Sequence, residues 1–354
     1  MKVLSIVGAR PQFVKALPLS QAVRREHEEV LVHTGQHYDR ELSAVFFEEL
    51  DLPEPEYELG VGSGSHAAQT ATMMTELDRV VTAERPDVVL VYGDTNSTLA
   101  GALVAAKREP TLAHVEAGLR SHNWSMPEEV NRVLTDHCAD LLFAPSERAR
   151  TSLQSEGVTD GVHVVGDVMY DALLRIEPHA LERSHVLSEL GLTEHEYVLA
   201  TVHRAGNTDD PERLEGIVAG LAGAPRPVVL PAHPRTVEAL REYGLWERAT
   251  DALEIIDPVG YLDFIRLLSG AERVATDSGG VQKEAFYLDT PCVTLREETE
   301  WVETVECGWN SLVGADERAI GRALSREFER PPKPRLYGDG TAAAAIVDVI
   351  ADVR

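Results

Sequence analysis

Thr276-Asp277-Ser278-Gly279-Gly280-Val281-Gln282-Lys283-Glu284-Ala285 follows a short apolar strand at 273–275 and reads as the turn into a helix. Ser278, Gly279 and Gly280 leave the first amides of that helix without intrahelical partners. Those N–H groups and the helix dipole suit a phosphate. Glu284, six residues after Ser278, is placed to accept from ribose hydroxyls. A tight strand–helix turn with no ligand is the plainer alternative, since glycine marks many such turns.

The same unit of apolar strand, turn and amphipathic helix recurs on both sides of this stretch. Strands are expected at 3–7, 30–33, 88–91, 111–114, 141–144 and 163–165, with helices at 67–83 and 97–106. A second set is expected at 197–200, 228–230, 253–256, 274–275 and 291–294, with helices at 211–221, 261–268 and 281–287. Strands without polar alternation, separated by helices, belong to parallel sheets covered on both faces. The fold class is therefore α/β, with two Rossmann-like doubly wound domains.

The boundary is expected between 166 and 194, where a helix at 167–176 meets Pro178 and a charged helix then ends near Gly191. This assigns 1–170 to the first domain and 171–335 to the second. The run Arg330-Pro331-Pro332-Lys333-Pro334 reads as a second linker. A final helix within 336–354 is expected to return to the first domain.

The chain has 354 residues, 44% hydrophobic and 26% charged, which is a globular composition. Its net charge is −26, with only five lysines. Such a charge gives no general attraction for nucleic acid or an anionic membrane surface. Acidity with so little lysine fits adaptation to high salt, where screening relieves self-repulsion. Cys138, Cys292 and Cys307 are widely spaced and form no CxxC, so they read as reduced thiols of a cytoplasmic protein. The five-residue apolar run at 3–7 is too short for a signal peptide, and nothing approaches a membrane span. HExxH and paired-cysteine runs are missing, so no metal is expected. GxSxG, P-loop and GxGxxG runs are missing too, which argues against a lipase-type hydrolase, a P-loop ATPase and a dinucleotide reductase.

Ligands of doubly wound sheets bind beyond the carboxyl ends of the strands, so the residues after each strand matter most. After the first strand, Gly8-Ala9-Arg10-Pro11 and Lys15 bring two cations near a helix start. Asp94, in Gly93-Asp94-Thr95, is either a helix cap or a site carboxylate. Glu116 falls in the mostly apolar His114-Val115-Glu116-Ala117-Gly118-Leu119-Arg120, a poor place for a merely solvated acid. Glu128 and Glu129 open a helix behind Pro127, and the dipole alone would favour them there. In the second half, His203 and Arg204 end one strand, and His233-Pro234-Arg235 ends the next. A histidine there suits acid–base work or phosphate donation.

These runs, with Val202-His203-Arg204, His233-Pro234-Arg235 and Thr276-Asp277-Ser278-Gly279-Gly280, resemble the non-hydrolysing UDP-N-acetylglucosamine 2-epimerase family, from Met1 to about Gly314. The resemblance implies a GT-B-like pair of domains with a cleft between them, a UDP-sugar substrate, no cofactor and a homodimer. It implies elimination of UDP to 2-acetamidoglucal and re-addition after a proton returns to the other face of C2. Asp94, Glu116, Glu128 and His203 match its catalytic set. Arg10, Lys15, Ser278, Gly279, Gly280 and Glu284 match its substrate-binding set. Gln36, His37, Gln69, Arg204 and His233 match a second, allosteric nucleotide-sugar pocket of bacterial members. The sequence departs from the bacterial pattern in three places, one of them a short segment at 121–126. Lys283 stands where many bacterial members carry an acid, and Thr299-Glu300-Trp301-Val302-Glu303 replaces Thr-Glu-Arg-Pro-Glu, as in archaeal-type members. A non-catalytic nucleotide-sugar-binding protein, a GT-B glycosyltransferase and a hydrolysing epimerase are the alternatives.

Overall fold

The computed structural model describes residues 1–36 and 53–353, apart from the Arg10 side chain. The chain divides into two units, Met1–Leu174 with Arg335–Arg354, and Arg175–Pro334.

In the first unit the order is β1 (Lys2–Val7), α1 (Arg10–Glu26), β2 (Glu28–His33), β3 (Tyr57–Glu58), α2 (His66–Glu84), β4 (Val88–Tyr92) and α3 (Asn96–Ala105). There follow β5 (Thr111–Val115), α4 (Pro127–Cys138), β6 (Leu141–Ala144), α5 (Glu147–Ser155) and β7 (Val162–Val164). The strands run parallel in the order β3-β2-β1-β4-β5-β6-β7. Winding starts at β1, goes out through β2 and β3, then returns to β4. The turns after β1 and β4 therefore leave from neighbouring strands on opposite sides of a switch point. Both faces of the sheet are covered, so all five residues of β4 are buried. Leu4, Ile6, Val89, Val91 and Leu112 meet Met73 and Leu77 in one core cluster.

Helix α6 (Val168–Arg183) crosses the division at Leu174/Arg175. Pro178, expected to end a helix, lies inside it. Proline removes one helical hydrogen bond, but buried Ile176 and Ala180 on either side keep the helix packed through the interruption.

The second unit continues with α7 (Val186–Glu189), β8 (Val198–Thr201), α8 (Ala205–Thr208), α9 (Pro211–Ala222), β9 (Val228–Pro231), α10 (Pro234–Glu242) and α11 (Trp246–Ala252). Next come β10 (Glu254–Ile256), α12 (Tyr261–Gly270), β11 (Arg273–Thr276), α13 (Gly279–Tyr287), β12 (Cys292–Thr294), α14 (Val302–Glu306), β13 (Asn310–Leu312) and α15 (Glu317–Ser325). The sheet order β10-β9-β8-β11-β12-β13, again parallel, repeats the winding of the first. The last helix, α16 (Ala342–Ala351), belongs to the first unit. There the Asp171 carboxylate accepts from the amides of Ala342 (3.2 Å) and Ala343 (2.8 Å), two donors an uncapped helix leaves open. No described helix is long and apolar enough to cross a membrane.

Candidate active site

In the first unit the acids stand directly beyond β4 and β5. Glu116 has φ +74°, a left-handed backbone that glycine adopts freely and other residues at a cost of about 1–3 kcal/mol. Its amide and that of Ala117 both donate to the Phe143 carbonyl at 3.1 Å, which holds the turn. A carboxylate kept at a strained position is a sign that the side chain, not the backbone, is needed there. That carboxylate is buried and ion-paired with Lys15 of α1. A methyl group on Gly93 would lie 3.2 Å from both Glu116 Oε2 and Lys15 Nζ, so a glycine keeps this side of the pair open.

Asp94 is not the helix cap. Thr95 caps α3, its hydroxyl accepting from the Thr98 amide at 3.4 Å. The Asp94 carboxylate instead pairs with Arg132 of α4, and Asn131 Nδ2 donates to the Asp94 carbonyl at 2.9 Å. The two glutamates at the start of α4 separate cleanly. Buried Glu129 accepts from the Ser121 amide and hydroxyl and the His122 amide, each at 2.9 Å, and from Arg132 at 3.1 Å. Glu128 beside it is exposed.

Beneath these acids lies a buried network. His114 Nδ1 is 2.7 Å from Asp136 Oδ1, and its Nε2 is 2.7 Å from the Gly93 carbonyl. Both partners are acceptors, so a ring carrying hydrogen on both nitrogens satisfies both contacts. Asp136 also accepts from the Gly118 amide at 3.1 Å and Arg120 at 2.7 Å. Burial alone would raise the Asp136 pKa, but the His114 and Arg120 charges outweigh it and hold the carboxyl below its ordinary range. Arg120 in turn donates to both oxygens of Glu156 at 2.7 and 2.8 Å. The network fixes the two turns, at Gly93 and at Gly118, that flank Asp94 and Glu116.

The start of α1 is already occupied. Gln12 Oε1 accepts from the amides of Gly8 (2.8 Å) and Ala9 (3.1 Å). Lys15, which matches the substrate-binding set, is ion-paired with Glu116. Gln36 accepts from the Ser97 amide at 2.9 Å, and Gln69 accepts from Asn96 at 2.8 Å, so both hold the start of α3. His37 and the Arg10 side chain lie outside the described residues.

In the second unit Asp277, fully buried, organises the end of β8. It accepts from the amides of His203 (3.1 Å) and Arg204 (3.0 Å) and from Asn207 Nδ2 (3.1 Å). The His203 ring has Nδ1 3.3 Å from Asp277 and its centroid 6.2 Å from that of His233. Burial, helped by His233, Arg204 and Arg235, lowers the His203 pKa more than Asp277 raises it. The folded value lies below the unfolded one, so the associated stability is present above about pH 6.5 and is lost as pH falls. An NMR titration of the His203 ring is expected to give a midpoint below that of free imidazole. A midpoint above it would mean that Asp277 dominates.

Ser278 caps α13, its hydroxyl accepting from the Val281 amide at 3.5 Å. Gly279 and Gly280 have ordinary negative φ, and a methyl on them would meet no atom closer than 3.7 and 3.9 Å respectively. Neither backbone conformation nor the nearest side chains demand glycine at these two positions. Glu284, buried, accepts from the Tyr261 hydroxyl at 2.8 Å, which fixes one carboxylate oxygen. Around Gly279 stand Arg204, Glu300 and Trp301. Burial would raise the Glu300 pKa, but Arg296 and Arg204 lower it below the ordinary value.

Sequence reading did not assign roles to His114, Asp136, Arg132, Asp277 or Tyr261. One signal was available for His114, a histidine inside a strand otherwise apolar, which must find polar partners when buried. Its partner is 22 residues away, and no spacing rule reveals it.

At strand ends the first unit holds Glu116, ion-paired with Lys15, and Asp94, ion-paired with Arg132. The second holds the Gly279 turn beside Arg204, Glu300 and Trp301, with Glu284 bound by the Tyr261 hydroxyl. A sequence profile of UDP-N-acetylglucosamine 2-epimerases matches residues 21–351. A UDP-N-acetylglucosamine 2-epimerase homolog of Methanococcus maripaludis is 49% identical over all of both chains. The UDP-2,3-diacetamido-2,3-dideoxy-D-glucuronate 2-epimerase of Pseudomonas aeruginosa is 46% identical over 99% of each. The crystal structure of Methanocaldococcus jannaschii UDP-GlcNAc 2-epimerase in complex with UDP-GlcNAc and UDP superposes with a TM-score of 0.89, at 41% identity and 99% coverage of both. Motif, winding and full-length similarity agree, and the chain belongs to the UDP-N-acetylglucosamine 2-epimerase family.

Proposed function

We propose that the protein interconverts UDP-N-acetylglucosamine and UDP-N-acetylmannosamine without hydrolysis. The observation that carries this reading is Glu116, a buried carboxylate held at a strained left-handed position against Lys15. A binding protein for an anionic ligand gains nothing from such an acid, whereas removal of the weakly acidic C2 proton requires one. As UDP leaves, the C1–O electron pair goes to the diphosphate, the C2 proton goes to a base, and C1=C2 forms. Return of a proton to the opposite face of C2 and re-addition of UDP at C1 completes the inversion. Asp94 and Glu116 serve C2, and Glu128 assists the proton relay or orients the sugar. His203, with Arg10 and the Ser278-Gly279-Gly280 turn, serves the diphosphate, and Glu284 the ribose. Donors aimed at the departing diphosphate stabilise the charge that develops there.

UDP-N-acetylglucosamine incubated with the protein in D₂O is expected to give both C2 epimers, each deuterated at C2, with no free sugar by NMR. Free N-acetylmannosamine would indicate hydrolysis, UDP release only with an added acceptor would indicate glycosyl transfer, and binding without exchange would indicate a non-catalytic protein. The Pseudomonas relative favours one second reading, a 2,3-diacetamido uronate as the sugar. The ratio of kcat/KM for the two nucleotide sugars decides between them.

A further inference from the structure

We propose that Asn207 is a positioning residue for His203, acting on it through Asp277. This rests on the reading above in which His203 serves the diphosphate. Asn207 is buried, at 3% exposure, on the short helix α8. Its side-chain amide is fully engaged. Nδ2 donates to Asp277 Oδ2 and to the Leu295 carbonyl, both at 3.1 Å. Oδ1 accepts from Arg213 Nε at 3.1 Å and from its Nη2 at 3.0 Å. The nitrogen meets only acceptors and the oxygen only donors, so one orientation of the amide satisfies all four contacts. An aspartate in its place would set an acceptor against both Asp277 and the Leu295 carbonyl.

The partners stand at three neighbouring strand ends. His203 follows β8, Asp277 follows β11 and Leu295 follows β12, and these strands are adjacent in the sheet. One amide therefore ties all three ends together. The His203, Arg204 and Asn207 donors all reach Asp277 Oδ2, while the His203 ring faces Oδ1 with its Nδ1 at 3.3 Å. Asn207 thus helps to fix the rotation of the carboxylate that aims Oδ1 at the ring. Arg213 backs the arrangement from α9 and is held in turn by both oxygens of Glu297, at 2.7 and 3.1 Å. The charge on Asp277 matters to His203 because of what else faces the ring. Burial is the largest cause that holds the His203 pKa below its ordinary value, and His233, Arg204 and Arg235 add to it against the pull of Asp277. Arg235 is itself paired with Asp209 at 2.7 Å. Each donor on Asp277 satisfies part of the carboxylate charge. Taking away the Asn207 donor concentrates that charge on the ring and frees the carboxylate to turn.

The test uses full-length protein with ¹⁵N-labelled histidine rings, and His203→Gln identifies the His203 signals. Asn207→Ala is expected to raise the titration midpoint of the His203 ring by about 0.5–1 pH unit, the worth of one hydrogen bond to Asp277. It is also expected to lower kcat for exchange at C2 about tenfold, through displacement of the ring. A purely structural Asn207 would change stability and leave both readouts unmoved in the folded protein. A folded variant in which either readout is unchanged would therefore overturn the proposal. If Asn207→Ala does not fold, Arg213→Gln takes its place, because Arg213 and Glu297 reach the surface at 29% and 66% side-chain exposure. That variant withdraws the fork behind Asn207 Oδ1, and a smaller rise in midpoint with a smaller fall in kcat is expected. An unchanged midpoint or kcat there overturns the proposal equally. Wild-type kcat in His203→Gln would instead remove the reading of His203 on which the proposal rests.

Discussion

Glu116→Gln is expected to slow deuterium exchange at C2 by about 10²–10⁴-fold, the range for loss of a positioned acid–base group. Binding of UDP to the second unit should change little, because Ser278, Gly279, Gly280 and Glu284 are untouched. The substitution has a second consequence that must be separated from the first. Glu116 and Lys15 form an ion pair with side-chain exposures of 7% and 9%. Removing one charge leaves the other buried and uncompensated, which typically costs about 3–5 kcal/mol. A lower rate alone is therefore ambiguous between lost chemistry and partial unfolding. The double variant Lys15→Met, Glu116→Gln resolves it, since it removes both charges and restores an approximately neutral interior. Stability is expected to recover toward wild type in the double variant while exchange at C2 stays low. Recovery of exchange along with stability would show that Glu116 is a structural partner of Lys15 and not the group that handles the C2 proton.

The fold was legible because its strands are short and buried on both faces. β4 reads as an uninterrupted apolar run, and every one of its residues is buried. Two of the four edge strands, β3 and β13, were not legible for the converse reason. Tyr57-Glu58 and Asn310-Ser311-Leu312 are two or three residues long and carry polar side chains, so they show neither an apolar run nor an alternation. Pro178 misled in the other direction, since buried neighbours outweigh one lost hydrogen bond in α6. In the candidate site, position at strand ends was readable, and Asp94 and Glu116 do follow β4 and β5. Partnership was not. That Lys15 lies on Glu116, Arg132 on Asp94 and Lys283 on Trp301 depends on how helices pack over a sheet. Sequence separation of up to 101 residues carries no trace of it.

Asp136→Asn is expected to destabilise the first unit by about 3 kcal/mol or more, because it removes the one negative charge between His114 and Arg120 in a dry interior. Amide hydrogen exchange in β5 and β6 measures the effect, since those strands are expected to open with the core of the unit. The pH dependence has a definite sign. The Asp136 pKa is lowered in the folded state, so its contribution is fully present above the ordinary carboxylate pKa of about 4 and is lost as pH falls through the folded value. The gap between wild type and variant should thus be constant from about pH 7 to 5 and narrow below about pH 4. A gap that widens on acidification would mean that Asp136 is protonated in the native state. Activity adds an independent readout. His114 holds the Gly93 carbonyl and Asp136 holds the Gly118 amide, and those turns carry Asp94 and Glu116. Loosening them should lower kcat with little change in UDP affinity, because the second unit keeps its own framework around Asp277. A fall in UDP affinity with kcat unchanged would assign the network to binding instead of to positioning the acids.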